Sequence, residues 1–341
     1  MRLRDFQKRL LDGNIDFALF FDSDANLTYF AGVKPDMACL AVPAKGRALL
    51  FVPGFEAERM ARSSFVDVVK VERDFLKVIH SHFEGDSIGV VSGSLSYLHA
   101  GRVKDEWNAE LVDVGGVCRD LRVVKTKDEI ARITKACAIA DVLFDELCKR
   151  LPFLKTELDA ASFLKLRMSQ LGFEPSFAPI VASGKNGATP HHIPTSSRLN
   201  GFTVLDFGIV YKNYCSDITR TVFIGSPSGS DRKVYSSLLK VQEDCIRQVV
   251  PGKVFDNIDS YSKEKVGRTM IHRVGHSLGV EVHDVQPRPW VLEAGNVVTI
   301  EPGTYPGKFG IRIEDDVLVT EKGPVLLTRA PKSLAVIRRK V

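Results

Sequence analysis

The chain has 341 residues, 44% of them hydrophobic and 26% charged, an ordinary globular balance with enough length for two cores of about 150 residues each. No apolar run reaches the roughly 18 to 20 residues that cross a bilayer. The 47 basic and 42 acidic residues, a net charge of +5, are scattered along the chain, so neither a membrane nor a nucleic acid is an expected partner.

The first ten residues carry basic groups but no apolar stretch of export-signal length. They read as an amphipathic helix, and the cytoplasm is the expected location. Strands are predicted at 17–21, 38–42, 48–52, 66–71, 87–91 and 110–113. Helices are predicted between them at 24–31, 56–62, 75–82 and 95–102, the first stopped by Gly32. This is a small mixed α/β domain without a cluster of chemistry-bearing side chains.

A domain boundary is expected near 115–125. Thr126 and Glu129 then form a capping box, and Ile130, Ile133, Cys137, Ala140, Phe144 and Leu147 recur at helical spacing. Further helices are predicted at 157–171 and 232–250, in a second domain otherwise rich in strands and turns. The six cysteines show no CxxC spacing and read as reduced and mostly buried.

Two strand–turn–strand segments place acids symmetrically. In the first, Asp206 and Asp217 sum to 423, so a turn at Tyr211-Lys212 sets them opposite each other. In the second, Glu301 and Glu314 sum to 615, which centres the turn on Gly307-Lys308. Opposed residues have Cβ atoms about 4.5 to 5.5 Å apart, and bare carboxylates so close repel. Four carboxylates balance two divalent cations, a known hydrolytic arrangement. Five of the eight histidines fall between 191 and 283. His276 lies between glycines in Val274-Gly-His-Ser-Leu-Gly279, with Val282-His-Asp284 shortly after. His272 and His276 are four apart, but no Glu follows His272, so this is not the HExxH zinc motif. His80, His82, His99, His192 and His272 read as packing or surface residues.

The ordered set is Asp206 in Leu-Asp-Phe-Gly, Asp217 in Ser-Asp-Ile-Thr-Arg-Thr, His276 in Gly-His-Ser-Leu-Gly, Glu301 in Glu-Pro-Gly and Glu314 in Ile-Arg-Ile-Glu-Asp. It resembles the five metal ligands of the pita-bread metallopeptidases, the family of prolidase, Xaa-Pro aminopeptidase, methionine aminopeptidase and creatinase. Asp22–Gly32 with its following strands, and the segment Arg122-Val-Val-Lys-Thr-Lys-Asp-Glu129, extend the likeness over most of the chain. The resemblance implies an α/β (α+β) protein, with a creatinase-type N-terminal domain at 1–121 and a pita-bread catalytic domain at 122–341. Ser277 departs from the family, where many members have Gly; a small residue is expected to be tolerated there.

The resemblance also implies an activity: hydrolysis of the Xaa-Pro bond in a dipeptide by a hydroxide between two divalent cations. Manganese or cobalt is favoured, with zinc as a third option. Asp206, Asp217, His276, Glu301 and Glu314 would be the ligands. His191 and His283 would face the substrate beside Glu301 as catalytic groups, and Thr219, Tyr305 and Arg312 would orient the carboxylates. Because the scissile amide of proline has no N–H, an apolar wall is expected; Phe177, Ile193 and Tyr305 are its candidates. Arg288 is the candidate for gripping the substrate carboxylate. A homodimer is expected from the family. An Xaa-Pro aminopeptidase acting on longer peptides is the near alternative. A non-catalytic peptide- or protein-binding module is the distant one, set against by the presence of all five ligand positions.

Overall fold

The computed structural model describes residues 2–339. The chain divides into two compact units, Met1–Arg122 and Val123–Val341, and each is taken by itself.

The first unit is a six-stranded sheet of β1 (Phe17–Phe21), β2 (Cys39–Pro43), β3 (Leu49–Pro53), β4 (Asp67–Val71), β5 (Ser87–Val90) and β6 (Glu110–Asp113), in the order β4-β3-β2-β1-β5-β6. Its helices are α1 (Arg2–Asp12), α2 (Ala25–Ala31), α3 (Ala57–Ala61), α4 (Phe75–His80), α5 (Tyr97–Trp107) and α6 (Gly115–Val123). The central strand β1, Phe-Ala-Leu-Phe-Phe, is apolar at every position because layers cover both its faces. Asp24 caps α2 by accepting the Asn26 N–H, and Gly32 closes it at φ 74°. The predicted helix at 95–102 is displaced, because Ser96 caps α5 and Trp107, buried beside Phe17, extends it. Met1, where the predicted first helix begins, lies outside the described residues.

The second unit opens with α7 (Lys127–Arg150), whose capping box pairs Thr126 with Glu129. Its buried stripe holds the predicted Ile133, Cys137, Ala140, Phe144 and Leu147, widened by Ala136 and Leu143, while the predicted Ile130 is only half-buried. Each such Leu or Phe contributes about 1.5 to 3 kcal/mol on burial. Together with α8 (Glu157–Gln170) this stripe packs on a sheet containing β8 (Ile180–Ser183), β9 (Gly201–Phe207) and β12 (Ile218–Ile224); a short β7 (Glu174–Pro175) precedes it in the chain. Between β9 and β12 the chain reverses through β10 (Ile209–Tyr211) and β11 (Tyr214–Cys215).

Two more helices, α9 (Gly229–Arg247) and α10 (Phe255–Val266), back a second sheet. That sheet is built from β13 (Val297–Ile300), β16 (Asp315–Thr320) and β17 (Gly323–Leu326). The pair β14 (Gly303–Thr304) and β15 (Ile311–Arg312) lies within the β13–β16 excursion, and β18 (Val336–Ile337) joins the edge of β12. The sequence reading missed α10. Its apolar positions Phe255 and Ile258 are few, and they acquire a partner only where Trp290 and Leu292 pack against them. Among the described residues no helix is long and apolar enough to cross a membrane.

Candidate metal centre

The β9–β12 hairpin delivers the first two acids, in a register that corrects the expected one. Thr219 pairs with Asp206 and Ile218 with Phe207, so partner numbers sum to 425 rather than 423. The turn is Lys212-Asn213, both left-handed with φ of 47° and 68°. Moving the turn centre by one residue shifts the pairing by two, so Asp217 still shares a face with Asp206 and lies diagonal to it. At Gly208 the ladder breaks: a Cβ there would lie 1.8 Å from the Ser216 carbonyl. Only a glycine lets the strand before Asp217 come this close.

The second hairpin keeps the expected register throughout. Val298 pairs with Val317, Ile300 with Asp315 and Gly303 with Arg312, each summing to 615. Glu301 and Glu314 face one another in the interval between the two ladders. There the backbones bond outward instead: Glu301 N–H to Val274 O at 2.7 Å and Glu314 N–H to Thr219 O at 3.0 Å. The second of these bonds ties the acids of the two hairpins into one cluster.

His276 enters from a loop pressed against β13. A Cβ on Gly275 would lie 1.9 Å from the Thr299 carbonyl. The His276 Nδ1–H donates to the Ser277 carbonyl at 3.0 Å, which leaves Nε2 as a lone-pair donor. Nε2 stands 3.6 Å from both Asp217 Oδ2 and Glu301 Oε1. That is too long for a hydrogen bond, but it suits two donors each about 2.0 to 2.2 Å from a shared cation. Ligand atoms of Asp217, His276 and Glu314 all lie within 4.8 Å of one another.

The electrostatics point the same way. Burial, then the neighbouring Glu314, raises Asp217 and Glu301 well above the carboxylate range, and burial with Asp206 brings Glu314 to about 7. Burial, then His283, lowers His276 to about 3. Asp206 Oδ1 and Asp217 Oδ1 are buried with no hydrogen-bond partner among the described residues, a costly arrangement unless a cation takes them. Arg312 alone cannot neutralise four carboxylates. Its guanidinium bonds Asp206 Oδ2 at 2.5 Å, Thr219 Oγ1 at 3.2 Å and Tyr305 Oη at 2.9 Å, while Thr219 donates to Glu314 Oε2 at 2.7 Å. The residues fit divalent cations.

The centre forms the floor of a cavity of about 460 Å³, with Phe177, Ile180, Pro190 and Val282 as apolar wall and His191, His272 and His283 among its polar groups. The His283 ring lies 4.1 Å from that of His276, and burial, then His191, lowers its pKa. Tyr305 is buried and turned toward Arg312 and His272, so it supports the site without lining the cavity.

Two expected substrate contacts are not brought in. Ile193 is 80% exposed and outside the lining, because its neighbour His192 is held by Glu157 at 2.9 Å and turns the chain outward. Arg288 is also exposed and outside it, in a loop anchored by the buried Trp290 on Phe255.

Two residues were missed. His272, read as packing or surface, lines the cavity; its Nε2 accepts from Tyr305 Oη at 2.9 Å, and burial lowers it to about 4. The four-residue spacing to His276 was its only signal. Asp316 lies behind the centre, accepting the Asp217 N–H at 2.9 Å and the Cys137 thiol at 3.2 Å. Its two-residue spacing from Glu314 was legible, whereas its reach to the backbone of Asp217 was not.

Residues 131–321 match the model of metallopeptidase family M24, and residues 2–124 match the creatinase/prolidase N-terminal domain. A curated Xaa-Pro dipeptidase of Pyrococcus furiosus is 34% identical, over 98% of this chain and 99% of its own. The crystal structure of a prolidase from Pyrococcus horikoshii superposes with a TM-score of 0.89 at 31% identity, covering 98% of this chain and 99% of that one. An X-Pro aminopeptidase structure from Thermotoga maritima gives 0.89 at 30%, covering 97% and 99%. With its creatinase-type first domain and pita-bread second domain, the chain belongs to metallopeptidase family M24 and requires divalent metal ions.

Proposed function

We propose that the chain hydrolyses Xaa-Pro dipeptides, with Asp206, Asp217, His276, Glu301 and Glu314 holding two divalent cations. The observation that carries this reading is the convergence of Asp217, Glu301 and Glu314 on a His276 Nε2 kept free as an acceptor, with one oxygen each of Asp206 and Asp217 buried and unpartnered among the described residues. The oxygen-rich donor set favours manganese or cobalt over zinc. When bound, the cations lower the pKa of water toward neutrality and polarise the scissile carbonyl.

The protein's own groups supply the rest. Glu301, whose Oε1 stands 3.6 Å from His276 Nε2, would be both a cation ligand and the carboxylate placed to pass a proton to the departing proline nitrogen. His283, whose pKa is lowered by partial burial and by His191, and His191 itself present ring N–H groups to the developing oxyanion or the leaving nitrogen. Thr219 and Arg312 hold Glu314 and Asp206 in fixed orientations. Phe177, Ile180, Pro190 and Val282 give the pyrrolidine ring an apolar wall that asks for no N–H partner. A homodimer is the proposed assembly, on family resemblance alone.

The test is hydrolysis of Met-Pro beside Met-Pro-Gly-Gly by metal-stripped protein with manganese or cobalt restored. Cleavage of the dipeptide in preference to the tetrapeptide is expected. The reverse preference assigns an Xaa-Pro aminopeptidase. Metal-dependent cleavage of neither removes both.

A further inference from the structure

Lys125 lies outside the cavity lining, yet its side chain is 1% exposed. Its backbone is fixed by an N–H bond to Gly295 O at 2.8 Å. The ammonium donates to Ser277 Oγ at 3.3 Å and stands 3.6 Å from Asp284 Oδ2, whose side chain is likewise 1% exposed. These two partners are the immediate neighbours of His276 and His283. The Ser277 carbonyl accepts both the His276 Nδ1–H at 3.0 Å and the Asp284 N–H at 2.9 Å. Asp284 Oδ1 in turn accepts the Val285 N–H at 2.8 Å. Space for the clamp is made by Gly279, where a Cβ would meet Asp284 Oδ2 at 1.8 Å.

We propose that Lys125 is a positioning residue, a buried cationic clamp that locks the loop of His276 to the loop of His283 and thereby fixes the tautomer and aim of His276. The inference rests on the reading of His276 as a metal ligand and extends it to a residue from a distant stretch of chain, at the head of the second unit. Beside the Val282 backbone, which also bonds the ring, the Ser277 carbonyl takes the Nδ1 proton of His276. The rotation of that carbonyl is restrained on one side by Lys125 through the Ser277 hydroxyl, and on the other by Asp284, which Lys125 also holds. The hydroxyl that stands where many relatives have glycine is therefore a working part of this site rather than a tolerated substitution. A buried ion pair of this kind contributes little to net stability, but leaving one partner alone is costly, so the pair serves to hold geometry.

The test uses Lys125→Met and Ser277→Ala in the full chain. Five quantities are read: melting temperature, histidine ring 15N shifts of the metal-stripped protein, manganese binding by calorimetry, and kcat and KM on Met-Pro. The Ser277→Ala protein retains the carbonyl and the Asp284 bond, and it keeps the assay decisive if Lys125→Met does not fold. Expected are an altered His276 tautomer signature and a loss of roughly ten- to hundredfold in manganese affinity or kcat for Lys125→Met, with a smaller loss of the same kind for Ser277→Ala. KM is expected to hold, because neither residue lines the apolar wall. Unchanged ring shifts and unchanged manganese affinity in the folded variants overturn the clamp. Inactivity of the parent chain toward Met-Pro overturns the dipeptidase reading instead, and the ring shifts still decide the clamp.

Discussion

Arg312 is the internal countercharge of the centre, buried at 4% exposure among Asp206, Thr219 and Tyr305. Burial works against its charge, but Asp206 and the neighbouring acids outweigh that and hold the guanidinium firmly protonated. Replacing it with methionine leaves Asp206 buried and unpaired. Arg312→Met is expected to lose about 3 to 5 kcal/mol in denaturant unfolding of the metal-free protein. Asp217→Asn acts in the opposite sense, removing one member of a mutually repelling set. Near pH 8 its metal-free melting point is expected to exceed the parent's, while hydrolysis of Met-Pro falls by at least about a hundredfold. A lower melting point for the asparagine variant would show that the carboxylates do not repel as their burial implies. Individual candidates were legible in the sequence because acids beside Ile, Leu and Phe in strands are unusual. Arg288 and Ile193 were not decided by any such pattern, since exposure depends on where a loop is anchored.

At the scale of the element, the two hairpins show which part of a register a sequence specifies. The parity of a pairing is set by which face is apolar, because a one-residue slip turns every side chain over. The turn position within that parity is set by local chemistry. Lys212-Asn213 adopts left-handed backbone, the conformation of a type I′ turn, for which Asn-Gly is better suited. The double change Lys212→Asn with Asn213→Gly is expected to add about 1 kcal/mol of stability without altering kcat, as read by denaturant midpoint and assay. Gly208→Ala has the contrary expectation. Its Cβ meets a backbone carbonyl, so the strand must shift and carry Asp217 with it. A loss at or beyond the upper end of about 1 to 3 kcal/mol is expected, with manganese affinity falling in parallel. Wild-type affinity in a folded Gly208→Ala protein would sink this account of the hairpin.

For the whole molecule, proton and metal binding are linked to stability. Glu314 lies at about 7 in the metal-free fold against an ordinary 4.5, and Asp217 and Glu301 are well raised. A carboxyl raised on folding binds more protons folded than unfolded. Its contribution is present at low pH and is lost as pH climbs from the unfolded value through the folded one. His276 near 3 and His272 near 4 oppose this below their ordinary 6.5, where stability rises with pH. Above 6.5 the histidines no longer oppose the carboxyls. The melting temperature of the metal-free protein is therefore expected to fall between about pH 6.5 and 8.5, and saturating manganese is expected to flatten the profile by taking the place of the protons. A metal-free profile that rises over that window would contradict the assignment.

The sequence by itself determined the strands of the first unit, the capped helix α7 with its buried stripe, and the order of the four acids and the histidine proposed as ligands. These are written in local terms: period, caps, and acids set among apolar neighbours. Tertiary structure alone decided the diagonal placement of Asp206 and Asp217, the entry of His272, the retreat of Ile193 and Arg288, and the reach of Lys125 to Ser277 and Asp284. The reason is physical. Each of those depends on contacts between distant segments, through close approaches at Gly208, Gly275 and Gly279 or through anchors such as Glu157 on His192 and Trp290 on Phe255, and such a contact leaves no periodicity in either segment.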